Sequence, residues 1–234
     1  MACQLVLSAA DGINKIIGEE MTRYFRDETG MYIDWSQLER LPDIDTLIDI
    51  GVGPMGTPDL YERFGSAKLL LIDPLDETEN YITQNLLLRE VIFHKCGVGK
   101  EASEQTINVE EEIGRSSILE VADINYEGEP QDRRKIQIKT LDSVTKSEKN
   151  LGKLGIKIDT EGYELNIILG ATETLKSTEF VLAEVRHNHE SFLGVYKLHQ
   201  FVSAMHDNGF VLTMILSAKP FIADLCFQPK KSLS

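Results

Sequence analysis

"LIDIGVGPMGTPDLYERF", residues 47–64, sets a G-x-G-x-x-G spacing at Gly51, Gly53 and Gly56 between an apolar run and a helical pattern. In open α/β folds, ligands are received at the carboxyl ends of the strands, where such a loop leaves the sheet. Glycine at 51 and 53 removes Cβ where a ligand must approach the backbone, and it permits turn dihedrals closed to other residues. The helix opens near Thr57 with Pro58 in its first turn, and its first N–H groups are free. The spacing alone discriminates poorly, because turns beside strand ends often contain glycine, so the surrounding chain has to decide its meaning.

Working outward, short apolar runs alternate with helical patterns. "TLIDI" precedes a helix to about Phe64, and "KLLLID" precedes one to about Leu88; "EVIFHKCGV" reads as a third strand. "KLGIKID" is followed by "YELNIILGATETL", and "EFVLAEV" by the helix around "YKLHQFVSAMHDN". This alternation predicts parallel strands joined by right-handed crossovers in one doubly wound sheet. The last runs, "GFVLTMIL" and "FIADLCFQ", are joined by only "SAKP", too short for a helical crossover, so they are expected to form an antiparallel hairpin at the sheet edge. Between residues 99 and 140, "EQTINV" and "KIQIKTL" read either as extra strands shaping a site or as parts of a solvated loop. Upstream, Leu5, Ile13, Ile16, Ile17, Met21, Tyr24 and Phe25 recur at three- and four-residue spacing, which predicts an N-terminal helix over 5–29 ended near Gly30. The expectation is a single domain over 1–234, with a helical segment over 1–40 and the sheet-bearing core over 45–228.

Composition narrows the functional classes. A formal charge of −14 disfavours a nucleic-acid footprint, which depends on clustered Lys and Arg. Hydrophobic and charged contents of 42% and 26% are those of a globular chain with a buried core. Cys3, Cys96 and Cys226 lack zinc or disulfide-framework spacing. Neither a signal-like leader nor an 18-residue apolar span is found, so no membrane is expected and a cytoplasmic location is the default.

Two aspartates bear on the ligand. Asp73 ends the second strand, where a carboxylate can accept both hydroxyls of a ribose. Asp49, two residues ahead of Gly51, disfavours an anionic pyrophosphate and suits a cofactor carrying an ammonium and a sulfonium. S-adenosylmethionine carries both. The closing hairpin also fits a methyltransferase sheet better than an all-parallel dinucleotide sheet, and none of the seven tyrosines is followed four residues later by Lys, the pair of a short-chain dehydrogenase. Expected cofactor contacts are Asp49, Gly51, Val52, Gly53, Gly56, Asp73 and Pro74. By fold analogy Cys96, Gly97 and Val98 join them around the adenine, with Ser116 and Ser117 as polar neighbours.

At "LGIKIDTEGYELNIILGATETL" the chain resembles the FkbM-type family of S-adenosylmethionine-dependent methyltransferases, whose hallmark is K-I-D-x-E-G-x-E followed by an apolar helix with L-x-G-A. Here these are Lys157, Ile158, Asp159, Glu161, Gly162 and Glu164, then Leu169, Gly170 and Ala171. Thr140, Leu141 and Asp142 match the family's upstream T-L-D, and Glu184 ends its later strand. The resemblance covers about residues 45–228. One departure is that the family's D-x-G-x-N-x-G loop appears as "DIGVGPMG", with Gly53 at the Asn position and Gly56 one residue late. The resemblance implies a Rossmann-like class I fold with a mostly parallel seven-stranded sheet, and O-methylation of a small hydroxylated acceptor such as a sugar or natural-product intermediate.

For that chemistry, Asp159 is expected to face the methionine moiety or acceptor and Glu161 to orient the loop, although both could equally cap the following helix. Glu164 is read as support for that helix or loop. In "AEVRHNHE", His187, and after it His189, are candidates for the acceptor's base, because histidine titrates near neutrality. Asp159, Glu161 and Glu184 lack metal-specific spacing, so no metal is expected. The expected partner is a small-molecule methyl acceptor, and homo-oligomerisation is left open. Alternatives are a nicotinamide-dinucleotide oxidoreductase and a non-catalytic cofactor-binding module of the same fold.

Overall fold

The computed structural model describes residues 24–26, 32–86, 89–122, 130–187 and 192–230. The chain enters through an antiparallel pair, β1 (Tyr24–Arg26) and β2 (Tyr32–Asp34), followed by a 3-10 turn over Trp35–Arg40. The expected helix over 5–29 is therefore corrected at 24–26, which is strand; the rest of that helix lies outside the described residues. Helical spacing of Tyr24 and Phe25 competes with the strand preference of aromatic residues, and pairing with β2 decides it.

Next come β3 (Thr46–Ile50), α1 (Pro58–Arg63), β4 (Lys68–Ile72), α2 (Asp76–Asn85) and β5 (Val91–His94). The chain then leaves the central sheet and builds a second one from β6 (Gly97–Val98), β7 (Ser103–Val109) and β8 (Asp132–Lys139). It returns through α3 (Leu141–Ser147), β9 (Leu154–Ile158), α4 (Glu164–Leu169), β10 (Thr178–Arg186), α5 (Leu198–Asp207), β11 (Phe210–Ala218) and β12 (Ile222–Pro229).

The seven-stranded sheet has the order β11-β12-β10-β9-β3-β4-β5. Its five strands from β10 to β5 run parallel, and β12 is antiparallel to both β10 and β11. The expected fold class and closing hairpin are both present. Strands such as β3, buried at every position, read as unbroken apolar runs because helices cover both faces. The pleat sorts their side chains: Ile48, Ile50, Leu70, Ile72, Ile156 and Ile158 join one core cluster, and Leu47, Leu69 and Leu71 the other. α5 buries Phe201 and Met205, with Phe201 edge-on to Phe227 of β12 at 5.7 Å between ring centroids.

The stretch expected to be one strand, "EVIFHKCGV", breaks at Lys95–Cys96, and its end pairs with β8 in the second sheet. β7 and β8 pair antiparallel and carry a small core of Ile107, Val109, Ile136 and Ile138 against Leu75. Of the two readings of 99–140, the extra strands are therefore the ones present. They place an apolar wall over the carboxyl ends of β4 and β5. No helix among the described residues is long and apolar enough to cross a membrane.

Candidate functional site

The carboxyl ends of β3, β4, β9 and β10 open into a cavity of about 570 Å³ roofed by the second sheet. Gly51, Val52, Gly53, Gly56, Asp73, Pro74, Cys96, Gly97, Val98, Asp159 and Glu161 all line it, so the structure brings together eleven expected residues from four separate stretches. Ile107, Ile113, Ile118 and Ile136 supply an apolar wall beside Cys96 and Val98. Burial pushes the Cys96 thiol above its ordinary value, in keeping with a packing role.

The turn after β3 is built around left-handed backbone. Gly51 has φ +80° and Gly53 φ +61°. A Cβ on Gly51 would lie 1.7 Å from the Asp159 carbonyl oxygen, so only glycine lets the tips of β3 and β9 approach this closely. Gly53 donates its N–H to Asp73 Oδ2 at 2.9 Å, and Leu75 N–H donates to Asp73 Oδ1 at 2.8 Å. Asp73 is 4% exposed; burial raises its carboxyl above the ordinary range, against those two N–H bonds and Thr78, which lower it. One loop is thereby fixed to the next strand's tip.

Three expected contacts take other roles. Asp49 is fully buried and does not line the cavity: its Oδ2 accepts from Tyr61 Oη at 2.5 Å and Thr57 Oγ1 at 3.1 Å, on the face covered by α1. Its Oδ1 faces Lys157 Nζ at 3.7 Å. Ser117 also stands behind the cavity, donating to the Glu161 carbonyl at 2.8 Å and accepting from Leu119 N–H, while Ser116 reaches the lining. His187 is exposed and turned away; its Nε2 lies 2.9 Å from the Lys219 carbonyl in the β11–β12 turn. His189 lies outside the described residues.

The acidic end has its own architecture. Glu164, 1% exposed, accepts at Oε1 from Thr160 N–H, Thr160 Oγ1 and Gly162 N–H, all within 3.1 Å, so it clamps the loop that carries Glu161. Glu161 sits at φ +52° and pairs with Arg186, whose guanidinium lies 4.7 Å over the Phe192 ring. Burial pushes its carboxyl up to about 7, with Arg186 pulling down and Asp159 pushing up. Lys157 Nζ donates to Asp159 Oδ2 at 3.1 Å. Burial alone would lower the Lys157 ammonium, but Asp159, Asp49 and Glu184 outweigh it and hold it above its ordinary value.

Sequence reasoning named Lys157 and Arg186 only as parts of motifs, weighed Glu184 only as a strand end and in a metal set without metal spacing, and missed Tyr61, Lys219 and Asp224. Lys157, Glu184 and Lys219 line the cavity. Strand register was the available signal for Asp224, since a hairpin joined by "SAKP" places it directly across from Glu184.

A parallel sheet closed by an antiparallel hairpin, with a glycine turn and acidic strand tips around one cavity, defines a class I methyltransferase fold. The chain belongs to the methyltransferase FkbM domain family, whose model matches residues 53–212. Membership carries S-adenosylmethionine as the cofactor. No curated protein matches the sequence. Among solved structures, it is similar to magnesium protoporphyrin IX methyltransferase from Synechocystis with bound SAM, at 10% identity and TM-score 0.41, over 84% of this chain and 74% of that one. A SAM-dependent methyltransferase from Aquifex aeolicus matches at 16% identity and TM-score 0.44, over 83% and 89%. Precorrin-6y C5,15-methyltransferase from Geobacter metallireducens matches at 12% and 0.43, over 84% and 85%.

Proposed function

We propose that this chain, acting as one catalytic domain, transfers a methyl group from S-adenosylmethionine to a hydroxyl of a small acceptor. The observation that carries the reading is the single cavity joining the apolar wall of Cys96, Val98, Ile107 and Ile136 to the strand tips bearing Asp159, Glu161 and Glu184, with Asp73 and the glycine turn between. The wall suits adenine. Asp73 accepts one N–H at each oxygen and has Thr78 beside it, and the carboxylate's four lone-pair sites still leave room for a ribose hydroxyl. The Lys157 and Asp159 pair offers both charges that an amino-acid end requires.

When bound, the cofactor supplies an electrophilic methyl on a positively charged sulfur. The chain's part is to hold donor and acceptor in line, which accounts for much of the acceleration of such displacements. A hydroxyl must also lose a proton on methylation, and the buried carboxyls are more basic than exposed ones; this favours an O-acceptor. The acidic tips oppose a pyrophosphate, which weakens the dinucleotide alternative.

Titration calorimetry tests the reading: S-adenosylmethionine is expected to bind and NAD is not, and the reverse result would sink it. Asp73→Ala should weaken cofactor binding by roughly 1.5–3 kcal/mol, or about 10–100-fold, through lost charge-assisted bonds. Unchanged affinity would remove Asp73 from the site.

Oxygens of Asp159, Glu161 and Glu184 lie within 4.8 Å of one another, a spacing compatible with a cation. However, Lys157 already pairs with Asp159 and Arg186 with Glu161, so the chain supplies its own counter-charges. Methyl transfer is therefore expected to continue undiminished in excess EDTA, and activity restored by added magnesium would contradict this.

A further inference from the structure

Among the described acidic residues at this end of the cavity, Glu184 is the one whose carboxyl is engaged by no hydrogen bond or ion pair. β9 and β10 run parallel with Ala183 beside Ile158, which sets Glu184 next to Asp159 at the two strand tips. On its other side, β12 places Asp224 directly opposite. Asp159 has Lys157, Glu161 has Arg186, and Asp224 has the hydroxyl of Ser217; Glu184 accepts no hydrogen bond among the described residues. It nevertheless lines the same cavity as Gly51, Gly53 and Lys219.

We propose that Glu184 takes the proton of the acceptor hydroxyl, and that entry of the cationic cofactor converts it from the neutral carboxyl to the carboxylate. The inference rests on the function proposed above. In the transfer, the acceptor oxygen forms a bond to the methyl carbon as the carbon–sulfur bond breaks with its electron pair moving to sulfur. The hydroxyl proton passes to the Glu184 carboxylate and is later released to solvent.

The groups facing Glu184 explain why a cation is needed. Burial, then Asp159, Asp224 and Glu161, push its carboxyl well above the usual carboxylate range, and Lys157 only partly opposes them. Arg186 is on the same strand but engaged with Glu161, and Lys219, which also lines the cavity, acts on the neighbouring Asp224. In the free protein these surroundings favour the neutral carboxyl. A positive sulfur in the shared cavity favours the charged form, whereas the neutral sulfur of S-adenosylhomocysteine does not. The two ligands otherwise carry the same ionic groups, so they isolate this effect.

The test is calorimetric titration of the full chain with each ligand near neutral pH, in two buffers of different ionisation enthalpy. S-adenosylmethionine is expected to release about half to one more proton than S-adenosylhomocysteine. In Glu184→Gln the difference should vanish while S-adenosylmethionine still binds. With any hydroxylated acceptor that the wild-type chain methylates, the same variant should turn over about 10²–10⁴-fold more slowly. A thermal scan keeps the variant interpretable. Its stability should match wild type at acid pH and exceed it increasingly as pH rises, because the folded carboxyl holds a proton that the unfolded chain has released. Equal proton release by both ligands, a difference that survives in Glu184→Gln, or undiminished turnover would each overturn the inference alone. Failure of S-adenosylmethionine to bind wild type would overturn the proposed function with it.

Discussion

Gly51→Ala is expected to destabilise the fold by roughly 3–5 kcal/mol, combining left-handed backbone strain with a forced backbone displacement. For a chain of this size that lowers Tm by about 6–20 °C. The added Cβ would stand 1.7 Å from the carbonyl oxygen of Asp159, an atom of the neighbouring strand's backbone that no side-chain rotation can move aside. Relief requires parting the tips of β3 and β9, and these tips bear the glycine turn and Asp159, which line the cavity. Cofactor binding by the folded fraction should fall as well. Gly53→Ala provides the comparison: its φ is also positive, but the nearest atom to its Cβ is 3.9 Å away, so only the dihedral strain remains, about 1–2 kcal/mol. Paired thermal denaturation curves check the ranking, and equal losses in the two variants would refute the role given to close approach at residue 51.

The parallel strands were legible because burial on both faces writes them as unbroken apolar runs, and the hairpin because four residues cannot span a helical crossover. The site's loops were legible for a related reason: strand tips followed by glycine or acid are local features. What was not legible depended on partners distant in sequence. The apolar continuity of "EVIFHKCGV" hides the break at Lys95–Cys96, since pairing of Gly97–Val98 with Ile138–Lys139 is decided forty residues on. His187 looked free to act because nothing local shows that its ring meets Lys219, across the hairpin. Glu184 was visible as a strand end and as a metal candidate without metal spacing, but not as a carboxyl flanked by two others until Asp159 and Asp224 were placed on its two sides.

Asp49 shows how the pleat overrules proximity, and its replacement is the second large expected effect. Two residues from Gly51 it reads as a ligand contact, yet strand alternation turns it to the face of Leu47, under α1. There Thr57 and Tyr61, one helical turn apart, both donate to it. Burial, with Asp49 beside it, raises the Tyr61 hydroxyl far above its ordinary value, so this phenol remains a donor. Asp49→Ala would strand the Tyr61 and Thr57 hydroxyls and leave the Lys157 ammonium to Asp159 and Glu184 alone. Breaking a buried charge and its hydrogen bonds in this way is expected to cost about 3–5 kcal/mol of stability. Asp49→Asn retains an acceptor for Tyr61 and should cost less. The two aspartates then separate in measurement. Asp49→Ala should lower the denaturant midpoint strongly and change cofactor affinity little at temperatures where the variant is folded. Asp73→Ala should do the opposite, losing affinity first. If Asp49→Ala instead left the midpoint unchanged and abolished binding, Asp49 would be a ligand contact after all, and the cavity would have to extend beneath the turn that now covers it.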